Sequence, residues 1–327
     1  MVSEDWQLAR RSLTRLFVLT RLFVVLVERR FVGEMAIELV AHFANHHQLV
    51  TAAMNVLCPC CMPTICVNVL TSALLLLLSL KYLNNKSKLL TYIIYLTSAI
   101  LLLLGSFLAI LANSPPLRSQ VTATVITALN QPGPLDDHRC PLVNQASGNV
   151  LEIGPGPGTN FRCLADNTNI KSWTGVEPNT FFADALHASA NRHNIPFPIN
   201  TVWLSGEDHI DVPPGSIDAV IATHVLCSVD SPEVVLANIA RTLKTGGKLY
   251  FLEHVAAPPT ASLYVHLTQT LASPIFTLVA SGCEFRATQA IIEATLGATF
   301  DIQTEAFDAP MPLAPFVPHL KGVATKR

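Results

Sequence analysis

Apolar positions are distributed unevenly along the chain: two long uninterrupted runs stand near the front, and short apolar segments separated by turns follow. Ile65–Leu83, ICVNVLTSALLLLLSLKYL, has no charge before Lys81, and Leu89–Ala112, LLTYIIYLTSAILLLLGSFLAILA, has none at all. At about 1.5 Å rise per helical residue, each comes close to a hydrocarbon core roughly 30 Å thick. Tyr92 and Tyr95 lie near one end of the second run, where an aromatic belt would sit. The short polar connection Asn84–Lys88 predicts a helical hairpin. Burial of both runs in a soluble core is disfavoured, because the rest of the chain is too small to cover them. Leu16–Val27 is also apolar, but Arg21 interrupts it and Arg10, Arg11, Arg15, Arg29 and Arg30 flank it. That pattern reads as an interfacial helix with snorkelling arginines, and it lacks the cleavage site of a signal peptide.

Behind Ser114–Pro116, a helix-compatible run over Gln120–Leu129 leads into the turn-rich stretch QPGPLDDHRCP. From Asn149 onward strand-like and helix-like segments alternate. Strands are expected at VLEIG, SWTGVEP, TVWLSGE, IDAVIATHVL and GGKLYFLEHV, and helices at Phe161–Asp166, Thr180–Asn191 and Pro232–Leu243. Helices at Leu263–Val279 and Thr288–Leu296 follow, then two closely spaced strands, FDIQTEAF and HLKGVAT. This order describes an α/β fold: a doubly wound, seven-stranded, Rossmann-like sheet with an antiparallel last strand, preceded by an α-helical membrane region. The expected organisation is a membrane-associated region at 1–112 with spans at 65–83 and 89–112, a linker with one short helix at 113–147, and the sheet domain at 148–327.

Composition supports that division. Half of the 327 residues are hydrophobic, an excess concentrated before Asn113. A formal net charge of −2 gives no basic surface for nucleic acid, which is set aside as a partner. The eight cysteines form no regular pairing pattern, and Cys163, Cys227 and Cys283 fall in a part that reads as a reduced intracellular domain. His42–His47 and Cys58–Cys66 contain zinc-ligand residue types, but no paired-ligand spacing; free or S-acylated juxtamembrane cysteines are the plainer reading, and no metal is expected.

In a doubly wound sheet, ligands bind beyond the carboxyl ends of the strands, where strand order reverses. That rule selects Glu152 to Gly158, Glu177, Gly206 to Asp208, Thr223, His224, Glu253 and His254, together with His319 at the start of the antiparallel strand. The loop VLEIGPGPGTN has GxGxG spacing, with Thr159 where a dinucleotide fingerprint carries its third glycine or alanine. Pro155 and Pro157 remove two N–H donors that a pyrophosphate would use. Glu152 adds a carboxylate, unsuited to phosphate and suited to a cationic amino group. The expected ligand contains adenosine, lacks phosphate and bears positive charge, which S-adenosyl-L-methionine satisfies.

VLEIGPGPGTN, VEPN, IDAVIATHVLCSV and ANIARTLKTGGKLYFLEHV resemble the motifs of class I S-adenosylmethionine-dependent methyltransferases. THVLCSV, LKTGGKLYFLEHVA, SGC and VPHLKGVA are similar, more narrowly, to the methyltransferase-like family that includes membrane-anchored thiol methyltransferases. The resemblance spans roughly residues 140 to 327 and does not extend to the topology of the front. It implies that Glu177 holds the ribose hydroxyls, that Glu207 or Asp208 lies near adenine, and that Gly154, Gly156 and Gly158 admit the methionine part with support from Glu152. Thr223 joins this cofactor-binding set.

Methyl transfer from a sulfonium is an in-line displacement, and a base is needed only where the nucleophile keeps its proton. The strand reading puts His224, His254 and His319 on the ligand edge as catalytic candidates, with His224 first. Cys227 and Cys283 read as wall residues. Pro258–Phe285, with Leu263, Tyr264, Leu267, Ile275, Phe276 and Leu278, is expected to line a pocket for a small lipophilic acceptor. A thiol is the nucleophile the resemblance implies; O-, N- or C-methylation of a quinone, lipid or secondary metabolite, or a silent cofactor-binding membrane protein, are the other readings. The expected location is an integral membrane protein of the endoplasmic reticulum or another intracellular membrane, in contact with the lipid bilayer. Cofactor supply argues for a cytosolic domain, whereas Lys81, Lys86 and Lys88 argue for a cytosolic hairpin loop.

Overall fold

The computed structural model describes residues 88–279, 282–310 and 316–327. The expected span at 65–83, the segment at 16–27 and the histidine and cysteine clusters before residue 66 lie outside the described residues. The chain divides into two compact units between Ala109 and Ile110. Helix α1, Lys88–Asn113, is 26 residues long. Its Leu96–Asn113 portion is long and apolar enough to cross a membrane by length and composition, with a mean hydropathy of 2.1 and 11% of its residues buried.

In the second unit, α2 (Pro115–Leu129) opens on two prolines, whose missing N–H groups cost nothing in a first helical turn. The turn-rich stretch that follows contains a second helix, α3 (Asp136–Val143), with Asp136 and Asp137 in its first turn. Asp136 anchors it, bonding Arg139 at 2.6 Å and Arg162 at 3.1 Å. Local composition conceals this helix because its stabilising partner, Arg162, is 26 residues away.

The sheet consists of β1 (Gly148–Ile153), β2 (Ile170–Val176), β3 (Ile199–Val202), β4 (Ile217–Thr223), β5 (Leu243–His254), β6 (Phe300–Asp308) and β7 (Pro318–Lys326). Their order is β3-β2-β1-β4-β5-β7-β6. The first five are parallel, and β7 runs antiparallel to both β5 and β6. The seven-stranded Rossmann-like sheet expected from the sequence is therefore present, and its order reverses between β1 and β4. The intervening helices are α4 (Phe161–Leu164), α5 (Ala183–Arg192), α6 (Pro232–Thr242), α7 (Leu263–Val279) and α8 (Thr288–Leu296).

Alternation along the strands sorts side chains onto two covered faces. Leu151, Ile153, Val220, Leu249 and Phe251 pack with Val235 and Ile239 of α6 and Ile292 of α8. Val150, Ala219, Ile221, Tyr250 and Leu252 share the other face with Val143 of α3, Phe161 and Leu186. Because both faces are covered, β4 reads as a near-continuous apolar run instead of alternating. Truncating Phe251, fully buried between these layers, would cost about 3–5 kcal/mol. This rigid core holds the carboxyl ends of β1, β2, β4 and β5 along one edge.

Candidate active site

The loop after β1 turns back through Gly154, Gly156 and Gly158, all with positive φ. Gly154 donates its N–H to Val176 at 2.9 Å, tying the loop to the end of β2. A Cβ at Gly154 would stand 2.6 Å from Val225 Cγ2, and one at Gly158 would stand 2.7 Å from Phe161 Cδ2, whereas Gly156 has no atom nearer than 4.0 Å. Two glycines thus serve close packing, and the middle one serves conformation and access.

Glu177 is buried at the end of β2 and faces the cavity. Its Oε2 accepts the Gly156 N–H at 3.0 Å and its Oε1 the Asn179 N–H at 2.9 Å. Burial pushes its carboxyl up to about 6 against those two donors. Glu152 is also buried, on the β1 face opposite Ile153, and accepts hydrogen bonds from Trp173 Nε1 and Asn160 Nδ2, each at 2.9 Å. Desolvation raises it to about 7, opposed by these two bonds and by the charge of Arg139. Asn160 also donates to Thr223 Oγ1 at 2.9 Å, so Glu152, Asn160 and Thr223 brace the glycine loop against β4.

Glu207 and Asp208 are not gathered with these groups. Glu207 accepts from Ser205 Oγ at 2.7 Å and from the Ser231 N–H at 2.6 Å, before α6, while Asp208 accepts the Ser205 N–H at 2.8 Å. Ser205 and Gly206 face the cavity beside them.

The three histidines converge. His254 and His319 face one another in the β5–β7 register. His224 follows β4 with a φ of +55°, a left-handed conformation rare for a residue with a Cβ. Its ring stacks on His254 with centroids 4.1 Å apart, and its Nε2 lies 3.3 Å from Nε2 of His319. His319 is oriented by its Nδ1, 3.2 Å from the Val317 carbonyl. Burial holds all three rings below the usual imidazole range: His224 well below it, His254 at about 3 and His319 at about 4. They are neutral near physiological pH.

Glu253, fully buried at the end of β5, shapes the turn that carries His224. Its carboxylate accepts the N–H groups of Val225 and Leu226 at 3.0 Å and of Cys227 at 3.3 Å. Desolvation pushes its carboxyl well above the usual range, opposed by those three donors. Cys227 and Cys283 are buried beside the histidines. Cys163, expected as a free thiol, is instead paired with Cys140, because α3 and α4 pack side by side on the sheet.

A cavity of about 770 Å³ runs from α2 past the glycine loop and Glu177 to His224, Cys227, His254, Cys283 and Phe316. Its walls differ from those expected. Leu263, Tyr264, Leu267 and Ile275 of α7 point outward and are 49–72% exposed, while Leu278 is buried. The helix period places the first four on one stripe facing away from the sheet. Phe316 supplies the aromatic wall, with Phe276 packed on it at 4.4 Å. Arg139 also lines the cavity; it is 7% exposed, and its Nε has no hydrogen-bond partner. Sequence reasoning missed Arg139 because it stands in the turn-rich stretch, with no periodicity to flag it.

A glycine loop closing β1, an acid closing β2 and a cavity at the reversal of strand order make a nucleoside-binding doubly wound fold. The chain matches the methyltransferase domain family over residues 151–251, and with that match these features mark a class I methyltransferase, an enzyme whose cofactor is S-adenosyl-L-methionine. It is 36% identical over 187 residues to thiol S-methyltransferase TMT1B of Homo sapiens, covering 55% of this chain and 72% of that protein. To thiol S-methyltransferase TMT1A of Homo sapiens it is 34% identical over 180 residues, covering 54% and 70%. The chain belongs to the methyltransferase family that includes these thiol S-methyltransferases. Among solved structures, phosphoethanolamine N-methyltransferase 2 of Haemonchus contortus in complex with S-adenosyl-L-methionine is 16% identical, with a TM-score of 0.44 over 58% of this chain and 52% of that one.

Proposed function

We propose that this methyltransferase is membrane-anchored and transfers the methyl group of S-adenosylmethionine to the sulfur of a small lipophilic thiol. The observation that carries the reading is the character of one end of the cavity, where imidazoles, thiols and Phe316 stand together. Such a wall suits an apolar, polarisable sulfur nucleophile.

In this reading Glu177 exchanges its bond to Gly156 for the ribose hydroxyls, and Gly154, Gly156 and Gly158 admit the methionine portion. Glu152 and Thr223 act through Asn160 to hold the loop. Arg139, which lines the cavity, takes the cofactor carboxylate. Glu207 and Asp208 shape the adenine end through the Ser205–Gly206 backbone. His224, a neutral imidazole, orients the acceptor thiol and takes its proton, with His319 and His254 fixing the ring. A thiol of pKa about 8.5 needs only that modest help.

The α1 segment Leu96–Asn113 supports the membrane anchor, and the exposed apolar stripe on α7 suits contact with lipid. The methyl donor's supply supports a catalytic domain on the cytosolic side of an intracellular membrane, against the Cys140–Cys163 pairing, which an oxidising compartment would keep. Protease protection in sealed vesicles tests that side: digestion from outside supports it, and a protected domain overturns it. Labelled methyl transfer to a panel of apolar thiols, phenols and quinones tests the acceptor. Thiol methylation is expected, and transfer confined to phenols, quinones or amines would refute it.

A further inference from the structure

Cys227, His254 and Cys283 converge on the cavity wall from three separate stretches of chain: the turn after β4, the end of β5 and the segment after α7. Cys227 Sγ lies 3.5 Å from Cys283 Sγ, and His254 Nδ1 lies 3.9 Å from the first sulfur and 3.8 Å from the second. A tetrahedral zinc about 2.3 Å from each sulfur and about 2.0 Å from nitrogen has donor–donor edges of roughly 3.5–3.8 Å. The three donor atoms therefore already stand near the corners of one face of such a tetrahedron.

The framework holds them there. Glu253 accepts the Cys227 N–H, and the Cys227 carbonyl accepts the Glu284 N–H at 2.8 Å, so the two cysteine segments are joined by backbone. Gly282, at a φ of +84°, approaches so closely that a Cβ there would lie 3.0 Å from the Ser228 carbonyl oxygen. The nearby set His224, His254 and His319 is the poorer cradle. Rings of His224 and His254 stacked 13° from parallel aim their in-plane lone pairs side by side instead of at a common point.

We propose that Cys227, His254 and Cys283 bind a zinc ion whose fourth position opens into the acceptor cavity and takes the acceptor thiol as a thiolate. Two thiolates and one imidazole with one open position make a catalytic zinc donor set. This deepens the thiol reading above and rests on it. On binding, R–SH forms a sulfur–zinc bond and its proton leaves to solvent. The sulfur lone pair then forms the new S–CH3 bond as the methyl–sulfonium bond breaks, leaving R–S–CH3 and S-adenosylhomocysteine. Zinc remains divalent throughout, so no oxidant or reductant enters.

The test uses full-length protein purified without a histidine tag, in detergent and under reducing conditions, dialysed against zinc. About one tightly held zinc per chain is expected, lost in C227S and in C283S and retained in H319N. Because a serine variant can misfold, cobalt(II) substitution of the unaltered protein is read in parallel. An intense thiolate-to-cobalt charge-transfer band with tetrahedral d–d bands is expected, shifted on adding an apolar thiol. Absence of stoichiometric metal, a Cys227–Cys283 disulfide in its place, or metal lost in H319N but kept in both serine variants overturns the site. Metal bound at the cysteines with no spectral response to any thiol overturns the open fourth position. Metal binding with methyl transfer only to non-thiol acceptors would instead refute the thiol reading and leave the zinc site standing.

Discussion

Glu177 and Gly156 are joined by a 3.0 Å hydrogen bond from the glycine N–H to the carboxylate, so the acid closing β2 and the middle glycine of the β1 loop are held in register. In the proposed reading that bond is exchanged for the ribose hydroxyls, which needs the ionised acid. Glu177→Gln should weaken S-adenosylmethionine binding roughly ten- to a hundredfold, about 1.5–3 kcal/mol for hydrogen bonds to a charged group, measured by calorimetry. Since burial sets the carboxyl at about 6, wild-type affinity should fall as pH drops through that value. The same pH step persisting in Glu177→Gln would assign it elsewhere.

Glu152 makes a stability prediction with a definite sign. Its folded value of about 7 exceeds the ordinary 4.5. The folded state therefore binds the extra proton, and the associated stability is present below about 4.5 and lost as pH rises through about 7. The cofactor-free protein should lose up to about 3 kcal/mol across that window, at 1.36 kcal/mol per pKa unit. Glu152→Gln, which cannot ionise, should flatten the profile in denaturant titrations at several pH values.

The glycines of the loop should separate by kind. Gly158→Ala forces a Cβ to 2.7 Å from Phe161 and 3.0 Å from Ser189, in addition to its unfavourable φ, and should destabilise the fold by about 2–4 kcal/mol. Gly156→Ala meets only Phe182 Cζ at 4.0 Å, an ordinary contact, and carries only the left-handed penalty, about 1–2 kcal/mol. Its larger effect should be on cofactor affinity. Equal unfolding midpoints for the two variants would contradict the packing argument.

His224→Asn keeps a residue that tolerates positive φ while removing the imidazole. Cofactor affinity should stay within a few-fold of wild type while thiol turnover at neutral pH falls roughly a hundredfold, the usual scale for a positioned base. Steady-state kinetics across pH decide it; undiminished turnover would remove His224 from the proton path.

Arg139→Met should raise the dissociation constant for S-adenosylmethionine more than that for adenosine, because only the former presents a carboxylate. The fold should survive, since Arg162 still pairs Asp136 at 3.1 Å. Parallel binding titrations with the two ligands provide the readout.

Much of this protein was determined by the sequence alone, because the signals concerned are local and periodic. The strands VLEIG and IDAVIAT announce themselves by apolar runs that a doubly covered sheet requires, and helices Leu263–Val279 and Thr288–Leu296 by their spacing. The prolines and glycines of VLEIGPGPGTN specify a phosphate-poor loop through backbone chemistry that no distant residue alters. What only the tertiary structure decided are relationships across long separations. Helix α3 exists because Asp136 meets Arg162, and Arg139 reaches the cavity from a stretch that reads as turns. The outward stripe of α7 could not be told from a pocket lining, since periodicity marks an apolar face without saying what it faces. Cys227, His254 and Cys283 are 27 and 29 residues apart and match no ligand spacing, yet the β4 turn, the end of β5 and the segment after α7 bring them within 4 Å. Strand order, which depends on how the whole sheet closes its two cores, is what makes those three positions neighbours.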